Sequence, residues 1–415
     1  MPNATVIVVG AGASGLSAAA ALKQREIEAV VLEQDELVGG TWARRYDRLH
    51  LHTVRRFSGL AHYPIPDKNP AYLSRDEFVG YLKDYASHFQ LRIETGTAVD
   101  RIRREPGTPN AWAVDRNGET WRCRVVVVAT GQYRVPVVPA WPGRERYSGD
   151  LRHSVQYSNA TVYAGKRVLV VGAGNSGAEI ATDLIENGAS FVALSIRTPP
   201  PIVPRDPFGL PVQRTSIVLS LLPPTIANRV GRATARLVLG DLTRFGIPKG
   251  HFAPYTTRRI PLIDVGFVKV LKQGRVKVRR AVSELTSTGA IFADGTAEPY
   301  DAIIAATGFT TGLDALLEAP DVLDELGEPR HPSGERTVHP GLYFVGFTHS
   351  LRGHLFEANR ASRRLARNVA AYLKDSGIGN RDSGLGTRDS GLGTRDLAAP
   401  ESPSPVRFPI PRSPR

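Results

Sequence analysis

Ten residues near the start of the chain constrain its fold most. Val6-Ile7-Val8-Val9 is a run of four β-branched apolar residues, the make-up of a parallel strand buried on both faces. Gly10-Ala11-Gly12-Ala13-Ser14-Gly15 follows at G-x-G-x-x-G spacing, and Ala18 to Leu22 continue as good helix formers. A strand, a glycine turn and a helix N-terminus make a diphosphate site. Gly10 permits the turn, Gly12 lets the backbone approach a pyrophosphate, and Gly15 lets helix and strand pack. The next strand, Ala29-Val30-Val31-Leu32, ends on Glu33. That acid stands close to the ~20-residue spacing from the turn expected of a group that holds a ribose hydroxyl.

The same unit recurs. Val168 to Val171 lead into Gly172-Ala173-Gly174-Asn175-Ser176-Gly177, and Glu179 to Leu184 continue as helix. The following strand, Phe191 to Ile196, ends on Arg197, where the first unit has an acid. A cation there suits a 2′-phosphate, and a solvated strand-end charge is the plainer alternative. Two such units need two nucleotides. The acid in one and the arginine in the other point to FAD in the first and NADPH in the second.

The remaining totals exclude several classes. A length of 415 residues fits two or three domains. The formal charge of +13 attracts anionic cofactors and substrates. No basic helix or basic–aromatic repeat supports nucleic-acid binding. A lone cysteine, Cys123, rules out an intramolecular disulfide and a Cys-x-x-Cys redox pair, and beside Val125 to Val128 it reads as a half-buried structural thiol. No credible metal cluster or nucleophilic triad stands out. The chain begins directly on a strand, and no apolar run approaches the ~20 residues that span a bilayer, so a cytoplasmic protein is expected.

Between the two units, Gly39-Gly40-Thr41-Trp42 and Tyr46 to Thr53 would lie beside the first nucleotide, where a cofactor ring extends; a surface loop is the alternative. Arg75 to Phe89 reads as an amphipathic helix opened by a Ser74 N-cap, with Glu77 at the capping-box position. Leu91 to Ile93 and Trp112 to Val114 read as strands around a turn. Val125 to Val128 form a buried strand ending in Ala129-Thr130-Gly131, small residues that let a cofactor or another backbone come close.

In the second half, Pro199 to Pro204 reads as a rigid connector. Thr215 to Leu239 is either a helical cover over a substrate cavity or a membrane-surface segment; its broken run and few aromatics make membrane contact the weaker reading. Val276 to Val278, Ala290 to Phe292 and Tyr300 to Ile304 read as strands, the last running into Ala306-Thr307-Gly308-Phe309, an echo of Ala129 to Gly131. Gly341 to Phe347, which includes Gly346, should return to the first sheet, and Ala361 to Leu373 is the closing helix.

The expected architecture is α/β with two Rossmann-like dinucleotide-binding domains, the FAD domain (1–158 and 306–375) interrupted by the NADPH domain (159–305). From 376 to 415 three near-copies of a seven-residue unit precede a Pro/Ser-rich end, which we expect to be disordered.

One further pattern makes a family nameable. Tyr147-x-Gly149-x-x-x-His153-x-x-x-Tyr157 is similar to the F-x-G-x-x-x-H-x-x-x-[FY] fingerprint of flavin-containing monooxygenases, with Tyr for the first Phe. Taken with Gly39 to Trp42, Tyr46 to His52, Gly172 to Gly177, Leu239 to Gly246, Pro261 to Gly266, Ala306 to Phe309 and Gly341 to Phe347, the chain resembles the plant YUCCA branch over roughly residues 4–372. The resemblance implies an FAD domain interrupted by an NADPH domain. It also implies that NADPH reduces FAD, that reduced flavin adds O2, and that a C4a-(hydro)peroxyflavin attacks a small-molecule substrate. In the YUCCA branch that reaction is oxidative decarboxylation of indole-3-pyruvate.

The resemblance further implies that His52 touches flavin and nicotinamide and is the catalytic candidate. Animal-type members carry Asn there, and Tyr157 differs from the Trp of the Baeyer–Villiger fingerprint. The expected cofactor contacts are Gly10, Gly12, Ser14, Gly15, Glu33, Gly40, Thr41, Trp42, His52, Thr53, Gly131, Gly172, Gly174, Asn175, Ser176, Gly177, Arg197, Gly308 and Gly346. Arg55 and Arg56 stand near His52 as cations for a substrate carboxylate, with a surface role as the alternative. N- or S-oxygenation of another small molecule and a low-turnover flavin redox sensor remain the competing functions. A flavin disulfide reductase would need a cysteine pair. An oligomer is compatible with the sequence.

Overall fold

The computed structural model describes residues 3–108, 110–257 and 260–376. At its centre β1 (Asn3–Val9) lies parallel to β2 (Ala29–Leu32) and β6 (Glu119–Val128), with Val9 beside both Leu32 and Val128. The sheet runs β3 (Arg92–Glu94), β2, β1, β6, β5 (Trp112–Arg116), β4 (Val99–Arg104). The C-terminal half of β6 also pairs with β19 (Leu342–Phe344), so the last strand returns to the first sheet as expected. Alternate residues face opposite ways. Val6, Val8, Val125 and Val127 pack on α1 (Ala13–Lys23), α3 (Arg75–His88) and α9 (His354–Asp375). Ile7, Val9, Val126 and Val128 pack with Trp112 and with Leu313 and Leu316 of α8 (Leu313–Leu316). Both faces are covered, which is why these strands read as unbroken apolar runs. Alanines on the buried part of α1 let α9 lie close against it.

Two readings in this half need correction. Leu91–Ile93 and Trp112–Val114 are not neighbours around a turn. β3 pairs with β2 at one edge, while β5 sits between β4 and β6 at the other. β4 hid in the sequence because it is polar (only Ile102 is buried), as an edge strand allows. Cys123 is fully buried rather than half-buried, and burial pushes its thiol pKa up to about 12. The α3 start is as read: Ser74 Oγ accepts from Glu77 N while the Glu77 carboxylate accepts from Ser74 N.

The second sheet is parallel throughout, in the order β13 (Val276–Arg279), β10 (Phe191–Ser195), β9 (Arg167–Val171), β17 (Ala302–Ala305), β8 (Asp150–His153). β8 therefore lies in this sheet, although its residues precede the expected boundary at 158. One face carries α4 (Asn175–Glu186) and α7 (Phe267–Lys272). The other is covered by an antiparallel sheet of β14 (Val282–Leu285), β15 (Gly289–Phe292) and β16 (Ala297–Pro299), together with Trp141. The proline-dense connector is partly a strand: β11 (Ile202–Pro204) pairs in parallel with β12 (Leu262–Asp264). Between them rise α5 (Val212–Leu219) and α6 (Pro224–Leu239). A short antiparallel pair, β7 (Val135–Pro136) with β18 (Phe309–Thr310), joins the two units.

The fingerprint residues hold this junction. Tyr147 donates its hydroxyl proton to Tyr300 O, and a Cβ on Gly149 would lie 2.3 Å from that hydroxyl. His153 Nε2 bonds Gly308 O at 3.0 Å, and its Nδ1 accepts from Val155 N. Buried Tyr157 donates to Asp183 Oδ2 at 2.6 Å. Helix α9 starts at His354, seven residues before the expected point, behind an N-cap Gly353 whose φ of 98° suits glycine. Apart from Ser376, the tail expected to be disordered lies outside the described residues. Among those residues no helix is long and apolar enough to cross a membrane.

Candidate active site

Both glycine turns open on one cavity of about 1020 Å³. The first turn begins where β1 ends, with Gly10 N donating to Leu32 O at 2.8 Å. Gly10 has φ 106°, and a Cβ on it would meet Ala129 O at 2.8 Å. One on Gly15 would lie 1.8 Å from Gly10 O, whereas one on Gly12 would meet nothing within 4 Å. Gly15 thus serves packing, and Gly12 faces the cavity. Glu33, 7% exposed, ties the turn to β2: Oε2 accepts from Ala11 N at 2.6 Å and Oε1 from Asp35 N at 3.0 Å. Burial outweighs these bonds and raises its carboxyl pKa.

The second turn repeats the design. Gly172 N donates to Ser195 O at 2.9 Å, Gly172 abuts Ala306 O, Gly177 abuts Gly172 O, and Gly174 is open. Gly131 and Gly308, following Ala129 and Ala306, are also open and line the cavity. Matching the two turn bonds places Ile196, not Arg197, opposite Glu33. Arg197 lies one residue further on, exposed and outside the cavity lining.

The other expected residues divide. Ser14, Thr41, Trp42, His52, Thr53, Asn175 and Ser176 line the cavity. Gly40 and Gly346 stand behind it, against the Asp35 carboxylate and Ser14 Oγ respectively. Asn175 spends its side chain on the backbone, donating to Pro261 O at 3.2 Å and accepting from Ile263 N at 2.7 Å. Arg55 and Arg56 do not line the cavity; Arg55 pairs with Asp67 at 3.0 Å, and Arg56 is exposed. Arg45 lines it instead. Its guanidinium lies over the Phe309 ring, 4.9 Å from the centroid, and burial lowers its pKa. No carboxylate pairs with it among the described residues.

His52 meets a partner the sequence did not disclose. Its Nε2 lies 2.6 Å from Oε1 of Glu179, a residue on α4 that is 3% exposed. The same cluster includes buried Tyr46, whose phenol is influenced by Ser176 and Glu179. Burial first, and then the Glu179 charge, push the Tyr46 phenol well above its ordinary pKa. A carboxylate only accepts, so the His52 proton in this contact sits on Nε2. In neutral imidazole Nδ1 then carries the lone pair.

Helices α5 and α6 roof the cavity through Ser216, Val218, Val230 and Thr234, as the cover reading expected. Gln213 pins this roof: Oε1 accepts from Val54 N at 2.9 Å, and Nε2 donates to Arg352 O at 2.6 Å. Thr130 Oγ1, Gln132 Nε2 and His349 Nδ1 are buried polar atoms of lining residues with no protein partner. Unmet donors and acceptors beside open glycines fit a polar, phosphate-bearing guest.

A family model described as flavin-binding monooxygenase-like matches residues 3–320. The chain is 37% identical over 351 residues to indole-3-pyruvate monooxygenase YUCCA1 of Oryza sativa subsp. japonica, spanning 82% of this chain and 86% of that protein. It is 34% identical to indole-3-pyruvate monooxygenase YUCCA6 of Arabidopsis thaliana, with 88% and 89% covered. A flavin-containing monooxygenase from Stenotrophomonas maltophilia superposes with a TM-score of 0.67 at 25% identity, over 90% of this chain and 99% of that one. The chain belongs to the flavin-binding monooxygenase-like family. It is a flavoprotein monooxygenase, of the class that takes FAD and NADPH.

Proposed function

We propose that this monooxygenase oxidatively decarboxylates an aryl 2-oxo acid of the indole-3-pyruvate kind. The observation that carries the substrate class is the 37% identity to the rice enzyme. Arg45, a cavity cation without a carboxylate partner among the described residues, supports an anionic guest. In this reading the first turn (Gly10, Gly12, Ser14 and Gly15) holds the FAD diphosphate at the N-terminus of α1. Glu33 keeps spare lone pairs for a ribose hydroxyl, Gly131 gives room, and Gly346 lets Ser14 pack from behind. Gly172, Gly174, Asn175, Ser176, Gly177 and Gly308 form the NADPH site. Gly40 backs the wall that Thr41, Trp42 and Thr53 line beside the flavin.

When bound, FAD supplies oxygen activation and NADPH supplies the hydride. The protein orients, excludes water and places protons. Its roof keeps bulk water off the reacting atoms. Glu179 fixes the His52 ring so that Nδ1 is the atom available to accept or relay a proton in the cavity. NADPH oxidation should accelerate with phenylpyruvate or indole-3-pyruvate and yield the acid one carbon shorter, with one oxygen atom from labelled O2. Oxygenation of thioethers or amines instead, with only hydrogen peroxide formed from 2-oxo acids, sinks the decarboxylation reading.

Arg197 is assigned to the 2′-phosphate despite its place outside the cavity lining, because the strand end it follows is the nucleotide-facing end of the sheet. A charge-assisted contact contributes about 1.5–3 kcal/mol when well formed. Exposure argues for the lower end, roughly tenfold at ~1.4 kcal/mol per decade. Arg197→Ala should raise the NADPH KM about tenfold and leave the NADH KM nearly unchanged. Equal losses for both cofactors would move the phosphate site elsewhere.

A further inference from the structure

Most of the large apolar side chains left exposed among the described residues fall in one stretch, 208–260. Leu221 is 82% exposed and Leu237 75%. In α6, Ala227, Asn228, Ala235 and Leu239 are buried. Ile226, Val230, Ala233 and Leu237 recur at helical spacing on the opposite, exposed face. Arg229, Arg232 and Arg236 form the stripe beside them, also exposed. The break at Pro223–Pro224, which counted against a membrane segment in the sequence, becomes a tip that presents Leu221 and Leu222 to solvent. Residues 205–257 hold seven Lys and Arg against two acids, Asp206 and Asp241. Asp206 is already paired with Arg205.

An apolar stripe flanked by arginines on an outward helix face, with a leucine tip at its start, is the pattern of a helix that lies in a lipid interface. The excess cations select an anionic surface. A second copy of this chain would bring the same arginines against each other. The cavity rim continues the patch: Phe208, Leu210, Val218, Val230 and Ile260 are both exposed and cavity-lining.

We infer that the α5–α6 segment docks the enzyme on anionic lipid bilayers, with Leu221, Leu222 and Leu237 entering the interface and Arg229, Arg232 and Arg236 meeting the headgroups. Docking sets the cavity rim at the membrane surface. It involves no bond-making step and stands whether or not the substrate is a 2-oxo acid.

The test is flotation of the full-length holoenzyme with phosphatidylcholine vesicles, with and without about 30% phosphatidylglycerol. The wild type should partition at least about tenfold better onto the anionic vesicles, and high salt should release it. Leu221→Ser/Leu222→Ser/Leu237→Ser, none of which lines the cavity, should lower that partition at least about tenfold. It should keep bound flavin and the NADPH oxidation rate in free solution. Arg229→Gln/Arg236→Gln should abolish the preference for anionic lipid. Equal binding of the leucine variant and the wild type overturns the proposal. So does a wild type that binds no vesicles, including one that forms a dimer which the leucine variant dissociates.

Discussion

Gly12→Val should fold and purify without flavin, while Gly15→Val should destabilise the apoprotein itself. Gly12 has φ −74° and ψ 179°, a conformation open to any residue, and a Cβ there meets nothing within 4 Å. A valine would therefore leave the apoprotein intact and fill the space where the diphosphate must approach the backbone. The variant should melt with wild-type protein stripped of FAD. Both would sit below the holoenzyme by the ligand's contribution, about 4 kcal/mol at a thousandfold excess over Kd. Gly15 is different: its Cβ would stand 1.8 Å from the Gly10 carbonyl oxygen, which is backbone and cannot swing aside. Overpacking costs about 1–3 kcal/mol in ordinary cores. Here the upper end is a floor, because α1 would lift off β1 and loosen the layer it shares with α9. That corresponds to a fall of at least roughly 6–12 °C in apoprotein Tm at ~2–4 °C per kcal/mol. A Gly12→Val protein that carries a full complement of FAD would end the assignment of the first turn. A Gly15→Val apoprotein with wild-type Tm would refute the packing account.

This contrast shows what kind of information the sequence carries. Glycine spacing is set by local backbone geometry, so both turns and the small residues at 129 and 306 are legible from the order of residues alone. The returning strand at 342–344 is legible because a strand buried on both faces must be apolar throughout. What stays hidden is paired at a distance or chemically unremarkable. β4, and β14 and β16 on either side of the legible β15, are short and half exposed, with no period strong enough to read. β11 is masked by its prolines, and the start of α9 by a glycine N-cap with no capping side chain. Arg55 and Arg56 look suitable because they follow His52 closely. The chain turns after Thr53, sending Arg55 to Asp67 and leaving Arg45, which precedes His52, on the cavity wall. Glu179 gives no signal at all, since a glutamate inside a helical run is ordinary helix chemistry.

Glu179→Ala should lower kcat about a hundredfold with little change in the NADPH KM, and its effect should not add to that of His52→Ala. The carboxylate is buried, and it accepts from His52 Nε2 in the cluster with Tyr46 and Ser176. Truncation leaves His52 Nε2 without its acceptor, at about 1–3 kcal/mol for an unmet buried polar group. The His52 ring is then free to turn, and misplacement of a reacting group by about 1 Å is enough for a loss of this size. In the proposed role both residues serve one atom, His52 Nδ1, so removing the second after the first should cost little. The double variant should recover about 0.5–3 kcal/mol relative to the sum of the singles. Glu179→Gln keeps the shape and a carbonyl acceptor for Nε2–H, so it should retain most of the activity that the alanine loses. A purely packing role for Glu179 predicts otherwise: a lower Tm, wild-type kcat in the protein that remains folded, and additive losses with His52→Ala. Steady-state rates and melting curves on the four proteins of the cycle separate the two outcomes.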